Sequence, residues 1–128
     1  MTKFREFTLE SGVKIFLGKD SKTNDELMKK FQGKGNLVLH TIAPGSPFCV
    51  IDNLKPTKQD IKEAASMCAL KSQDWRDNKK SVKLHIFKVK DAHKPKSLKQ
   101  GTWSITGKPK TIKAKRREIK KCQSDNFN

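Results

Sequence analysis

Apolar and polar or charged residues alternate in the most basic half of this 128-residue chain, in the segments SVKLHIFKV at 81–89 and TWSI at 102–105. Lys and Arg outnumber Asp and Glu by 18 to 5 after Leu70, against 11 to 8 up to that residue. A charge excess of this size without apolar periodicity favours disorder, whereas period-two alternation is typical of strands with one buried face. The basic half is therefore predicted to be folded up to about Arg117.

Further short strands are predicted along the chain, because apolar residues alternate between turn signals. The first two flank the turn Glu10-Ser11-Gly12, as in a hairpin. A later pair is joined by Pro-Gly-Ser-Pro at 44–47, whose prolines lack the amide donors of a ladder. The predicted strands are at about 3–9, 13–18, 36–42, 48–51, 82–86, 103–105 and 110–119.

Two helices are predicted from capping signals. Thr23 followed by Glu26 has the pattern of a capping box, and the helix after it is expected to end at Gly33. Thr57 with Asp60 is expected to cap a second helix, in which small apolar residues recur at helical spacing. The order of elements predicts an α+β fold: a single domain with a mixed, largely antiparallel sheet and two main helices packed on one of its faces.

The domain is predicted to span residues 1–117, with 118–128 as a basic and polar C-terminal tail that frays. No apolar run exceeds four residues, so no membrane-spanning helix is expected, since about 20 are needed. The first ten residues lack the apolar core of a secretory signal, which predicts a cytoplasmic location. Three widely spaced cysteines without a CxxC motif indicate neither a disulfide framework nor a zinc site.

Residues with catalytic or metal-binding chemistry are present but do not form a recognisable motif. His40, His85 and His93 are not spaced as ligands of one metal ion, so no metal and no cofactor are predicted. The nucleophile motif G-x-S-x-G is absent, and Cys49 lies within an apolar strand. The sequence therefore favours a binding protein over an enzyme.

The strongest signal is a field of basic residues interleaved with aromatic ones. Lysine predominates, which favours phosphate contact and shape recognition over base readout, and Trp103, Trp75 or His93 are candidates to stack an unpaired base. The basic residues are predicted to form one face of the sheet together with the loop at 90–101. The candidates are Lys88, Lys90, Lys94, Lys96, Lys99, Lys108, Lys110, Lys113, Lys115, Arg116 and Arg117.

The segment SGVKIFLGKDSKTNDEL has a Gly, an alternating strand, a second Gly and Asn-Asp-x-Leu, and in this order it resembles the opening of the NFACT-R domain. NLVLHTIAPGSPFCVI is similar to the family's strand ending in His and its Pro-Gly-Ser turn, EAASMCALKSQDW to its Ala-rich helix, and VKDAHKPKSLKQGTWSITGK to its Val-Lys stretch. The match covers roughly residues 8–115, and one departure is Pro47, where many members have His.

The resemblance implies RNA binding. NFACT-R domains are parts of NEMF- and Caliban-type ribosome-associated quality-control factors, which engage the large ribosomal subunit and transfer RNA. At 128 residues the chain has no room for their other domains, so the resemblance implies a free-standing NFACT-R protein in translation or quality control. Its implied partners are transfer RNA, ribosomal RNA or the ribosome, with the oligomeric state unspecified. The site residues that it implies are Lys19, Asn24, His40, Ser46 and Lys94.

Two other functions remain open at this point. The chain is a candidate accessory subunit or enzyme of RNA modification or processing, with His40 and Ser46 lining a pocket at the Pro-Gly-Ser turn. It is also a candidate basic adaptor, whose lysines would bind DNA or an acidic protein. Only the second alternative follows from charge alone.

Overall fold

The structure is a computed structural model that describes residues 4–94, 99 and 102–127. The strands in this part of the chain are Arg5–Thr8 (β1), Lys14–Leu17 (β2), Leu37–Thr41 (β3), Cys49–Ile51 (β4), Val82–Lys88 (β5), Ala92–His93 (β6), Ser104–Ile105 (β7) and Lys110–Ala114 (β8). The helices are Ser21–Lys30 (α1), Lys58–Leu70 (α2), Gln73–Asn78 (α3) and Arg116–Phe127 (α4). None of these four helices is both long and apolar enough to cross a bilayer.

Six strands form one sheet in the order β1-β2-β4-β3-β5-β8, and every neighbouring pair is antiparallel. Strands β6 and β7 form a separate two-stranded hairpin. The predicted α+β class, with helices packed on a largely antiparallel sheet, is confirmed. The sheet leaves β1 and β8 as its two edge strands.

The two main helices lie on opposite faces of the sheet, so the prediction that both pack on one face is wrong. Successive side chains of a strand point to opposite faces. On β2, Ile15 packs in the cluster that contains Ala64 and Cys68 of α2, whereas Phe16 packs in the cluster that contains Leu27 of α1. We call these sides the α2 face and the α1 face.

The N-cap predicted from the sequence is the observed one in α2 but not in α1. The predicted capping box of α2 is confirmed, because Thr57 accepts from the amide of Asp60 and the Asp60 carboxylate accepts from the amide of Thr57. For α1 the predicted cap is wrong. Asp20 is the N-cap, and the Thr23 amide donates to its carboxylate over 2.9 Å. The acidic residue begins this helix three residues before Thr23.

The expected frayed end after Arg117 is also wrong, because residues 116–127 form α4. This helix packs against α2, with Ile119 fully buried in the core and Cys122 partly buried beside it. An ion pair of 3.0 Å joins Lys62 Nζ to Glu118 Oε1. Strand β8 accordingly ends at Ala114 instead of continuing to 119. The two apolar residues three positions apart make too short a stripe for a prediction, and packing on α2 stabilises the helix.

A short helix that the sequence did not predict, α3, follows α2 directly. Ser72 caps it, accepting from the amide of Trp75. Trp75 is only 2% exposed and packs in the core on the α2 face. Its proposed role in stacking a base is therefore wrong, because neither ring face is available to a ligand.

The three cysteines are free thiols. Burial raises the pKa of Cys68 to about 12 and that of Cys49 well above its usual value of 9.0. Both side chains are fully buried and therefore remain protonated at neutral pH. Among the described residues, no group of three His, Cys, Asp or Glu side chains is arranged to hold a metal ion.

Candidate functional site

The loop after β2 and the turn before β4 are joined by hydrogen bonds at one end of the sheet. We call these bonds the clamp. Gly18, at the end of β2, donates its amide to the Phe48 carbonyl over 3.2 Å. The Phe48 amide donates to Asn24 Oδ1 over 3.0 Å, and this carboxamide lies where a Cβ of residue 18 would be. Only glycine fits at position 18 for this reason. Asn24 is only 8% exposed, and its side chain holds the start of α1 against Phe48, the residue before β4.

The Pro-Gly-Ser turn between β3 and β4 is the second of these loops. Its Gly45 has a φ of +89°, and its carbonyl accepts from the Gln73 amide over 2.8 Å. Ser46 Oγ accepts from the Thr41 amide over 3.0 Å and donates to the Pro47 carbonyl over 3.2 Å. The serine hydroxyl therefore ties the turn to β3.

These loops enclose a cleft of about 370 Å³. Its lining combines four cationic side chains with a single acidic one, Asp20. Gly18, Ser21, Asn24, Gly45, Ser46, Pro47 and Thr102 complete the wall. We call this site the basic cleft; its cationic residues are Arg5, Lys19, Lys71 and Arg76.

The charges in the basic cleft influence one another. Partial burial, and then the charge of the neighbouring Arg5, lower the pKa of Lys71. The pKa of Asp20 is lowered by its hydrogen bonds from Thr23, first from the amide and then from the hydroxyl. Asp20 is thus a helix cap that remains ionised. A site in which cations repel one another is favourable for an anion.

The sequence identified only part of the basic cleft. Lys19, Asn24 and Ser46 were predicted and lie together in its wall. Arg5, Lys71 and Arg76 were missed, because they come from β1, the end of α2 and α3, which no local motif connects. Only the paired strands and the packed helices bring these residues to Lys19.

Lys94 and Trp103 attach the β6–β7 hairpin to α1. Lys94 Nζ lies 3.3 Å from Asp25 Oδ1 and 5.7 Å from the centre of the Trp103 ring. It also donates to the carbonyls of Lys99 and Thr102, while Trp103 Nε1 donates to the same Asp25 oxygen over 2.9 Å. We call these contacts the latch, and they hold Thr102 at the rim of the basic cleft. Both predicted site residues therefore make contacts within the fold.

The lysines of β8 do not form the single face that the sequence predicted. Lys113 lies opposite Lys83, whereas Lys110 lies opposite Ile86, whose side chain is in the core on the α2 face. Since the two lysines are three residues apart, they point to opposite sides of the sheet. The basic residues surround the edge strand instead. We call this region the β8 edge; its members are Lys108, Lys110, Lys113, Lys115, Arg116 and Arg117.

The remaining predicted residues are dispersed. The rings of His40 and Phe48 lie 4.7 Å apart, and His93 Nε2 contacts Thr106 Oγ1 over 2.6 Å. Burial, and to a smaller extent the nearby His85, lower the pKa of His40. Lys88, Lys90 and Lys99 are exposed away from the cleft lining, and Lys96 lies outside the described residues.

The chain is similar to known proteins over most of its length. It is 34% identical over 100 residues to the Rqc2 homolog RqcH of Streptococcus suis, covering 77% of the chain and 18% of that protein. Identity to the archaeal Rqc2 homolog aRqcH of Methanocaldococcus jannaschii is 28% over 111 residues, covering 82% and 16%. The chain therefore spans less than a fifth of these relatives.

A solved structure has the same fold. It is the C-terminal part of the fibronectin/fibrinogen-binding protein of Streptococcus suis, with a TM-score of 0.80 and 29% identity, and the match covers 94% of this chain and 49% of that one. The profile of the family described as the NFACT protein RNA binding domain matches residues 3–107. That match contains both loops of the basic cleft and all four of its cationic residues. The chain is a member of the NFACT protein RNA binding domain family.

Proposed function

We propose that this chain is a non-catalytic RNA-binding module that holds the RNA backbone in the basic cleft. The observation that carries this proposal is the convergence of Arg5, Lys19, Lys71 and Arg76 on one concave site with a single acidic residue. Ammonium and guanidinium groups neutralise phosphates and release their counterions. Concave sites of one charge sign focus that attraction.

The rigid wall of the cleft also supports this assignment. The clamp of Gly18, Asn24 and Phe48 and the bonds of Ser46 fix both loops through hydrogen bonds of the protein itself. A site that is already ordered loses less conformational entropy when a ligand binds. Asn24 and Ser46 accordingly position the wall, while Lys19 is exposed and free to turn towards a phosphate.

The β8 edge is the second part of the proposed RNA contact. Its six basic residues are exposed and carry no acidic neighbour within Lys108–Arg117. An exposed strand edge holds phosphates less firmly than a cleft, because its side chains are solvated and salt screens their charges. We assign it a supporting role in affinity, together with the exposed Lys88, Lys90 and Lys99.

Structured RNA such as transfer or ribosomal RNA is the substrate class that fits this surface, and a role in ribosome-associated quality control fits the names of the relatives. Both assignments rest on the family and on charge. DNA and acidic proteins are the competing ligands. Competition of transfer RNA, duplex DNA and polyglutamate at matched salt distinguishes them, because a surface that recognises charge alone has no preference for RNA.

The test is RNA binding by fluorescence anisotropy at several salt concentrations. About five phosphate contacts predict a slope of roughly −3.5 to −4.5 in log affinity against log salt. The variant Lys19→Ala/Lys71→Ala/Arg76→Ala is expected to lower affinity by about 10- to 100-fold and to reduce the magnitude of the slope by about 2 to 3.

The control for this variant removes the same charge from elsewhere. Lys55→Ala/Lys58→Ala/Lys120→Ala changes three exposed lysines outside the basic cleft and the β8 edge. We expect it to bind RNA within about threefold of the unmodified chain. Equal losses from both triple variants would show that net charge, and not the cleft, determines binding.

A further inference from the structure

The α1 face of the sheet is uncovered where β3, β5 and β8 run side by side. Three residue pairs lie there: His40 opposite His85, Lys83 opposite Lys113, and Thr111 also opposite His85. Ile42 follows β3, and its amide donates to the Lys83 carbonyl over 3.0 Å. We call this surface the open face; its residues are His40, Ile42, Lys83, His85, Thr111 and Lys113.

Two consecutive rows of the open face place like residues directly opposite each other. Lys83 and Lys113 are both exposed, and like charges in opposite positions of an antiparallel pair are destabilising. The next row of the same face contains the histidine pair. No residue of the open face is acidic. A phosphate between the two lysines would relieve the repulsion that the strand register imposes.

The open face also has an apolar and aromatic component. Ile42 is 46% exposed, and Leu54 is the other large hydrophobic side chain exposed among the described residues. Half-buried His40 packs its ring against buried Phe48 at 4.7 Å between centres. A surface of histidine rings and one aliphatic side chain, bordered by lysines, matches a nucleobase with its phosphate.

The open face adjoins the basic cleft at the Pro-Gly-Ser turn. Ser46 lines the cleft, and its hydroxyl accepts from the amide of Thr41, between His40 and Ile42 of the open face. A strand of RNA that leaves the cleft past Ser46 therefore reaches His40 without crossing another element.

We infer that the open face binds unpaired nucleotides of an RNA, with bases on His40 and Ile42 and phosphates at Lys83 and Lys113. This inference rests on the proposed function, because the basic cleft holds the neighbouring backbone. Bases in a duplex are paired and stacked, so their faces are not available to the sheet. The substrate class is thus RNA with a single-stranded segment, and not a continuous duplex.

The test compares two labelled RNAs of equal length: an unstructured single strand and a blunt duplex. Ile42→Ser removes apolar contact from the open face without changing its charge. It is expected to weaken binding of the single strand by about fivefold, because serine cannot replace the apolar contact of isoleucine with a base, and to leave the duplex unchanged. Leu54→Ser is the matched control, because Leu54 is 67% exposed and lies outside this face.

A second variant protects the test from an effect on folding. Thr111→Glu adds a carboxylate at an exposed position of the open face, where it repels phosphates. If Ile42→Ser and Thr111→Glu both bind the single strand and the duplex as tightly as the unmodified chain does, the inference is overturned. The proposal for the basic cleft then still stands. Binding of neither RNA by the unmodified chain overturns both proposals. Competition by polyglutamate as strong as by single-stranded RNA would assign the face to an acidic peptide instead.

Discussion

The same strands have different properties on the two faces of the sheet. On the α2 face, Val82, Leu84 and Ile86 of β5 are at most 8% exposed and pack under α2. On the α1 face, the alternate residues Lys83 and His85 are exposed or half-buried. One period-two pattern thus supplies the core on one side and a cationic surface on the other.

The difference arises from the helices that cover the two faces. α2 contacts β3, β4, β5 and β8 and is itself covered by α4. α1 is shorter and packs Leu27 and Met28 against Phe16 in a second cluster, so it leaves the β5–β8 end of its face open. The α2 face therefore contains the larger buried cluster, and the β5–β8 end of the α1 face is available to a ligand.

The largest expected effect compares neighbouring residues of β5. Leu84→Ala removes a fully buried side chain from the α2 face and is expected to lower the free energy of unfolding by about 2–5 kcal/mol. His85→Ala, on the open face, is expected to change it by less than about 0.5 kcal/mol. Urea unfolding followed by circular dichroism measures both. Similar losses of unfolding free energy in the two variants would contradict this difference between the two faces.

The next effect concerns the clamp on the α1 side. Asn24→Ala leaves the buried Phe48 amide without its acceptor and is expected to cost about 1–3 kcal/mol of unfolding free energy. Asn53→Ala is the control, because its side chain accepts an exposed hydrogen bond from the Lys55 amide. A loss of less than about 0.5 kcal/mol for Asn24→Ala would mean that the clamp is dispensable for the fold.

A smaller effect is expected at the latch of the hairpin. Lys94→Met removes the ion pair with Asp25 and the cation above the Trp103 ring. We expect acrylamide to quench Trp103 more strongly in this variant, while Trp75, at 2% exposure, is unaffected. Lys108→Met is the control with an exposed lysine. Unchanged quenching would show that apolar packing alone holds the hairpin on α1.

The smallest expected effect is a dependence of stability on pH. His40 has a pKa below its usual 6.5, mainly because of burial, so the unfolded chain binds more protons than the folded one just below pH 6.5. The free energy of unfolding should therefore fall from pH 6.5 down to the folded pKa and then level off. His40→Gln should flatten this part of the profile. Asp20 and Asp60 have lowered pKa values, so their contributions are lost only near and below pH 3.8.

The His40 profile is distinguished from that of the other histidines by one control. His93 is exposed and contacts the Thr106 hydroxyl. His93→Gln is the control variant, because it replaces an exposed imidazole by the same residue. A profile that flattens in His93→Gln and not in His40→Gln would contradict the assignment of this pH dependence to the burial of His40.

Features that depend on residues close in the chain were predictable. The capping box of Thr57 and Asp60 and the Pro-Gly-Ser turn are local, so they occur where the sequence indicates. The cap of α1 was predicted wrongly because Asp20 and Thr23 are both competent caps, and in the structure they form one capping box with Asp20 as the N-cap and Thr23 at N3. α4 was missed because its stability comes from contact with α2.

The sequence alone determined the α+β class, the family and the excess of positive charge, since composition, alternation and motif residues carry this information locally. Tertiary structure decided where the charge acts. Arg5, Lys71 and Arg76 join Lys19 only after distant elements pack, and the register of β5 and β8 places Lys113 directly opposite Lys83. A shift of one residue in a strand reverses every side chain, so the functional surface depends on long-range pairing that no local pattern specifies.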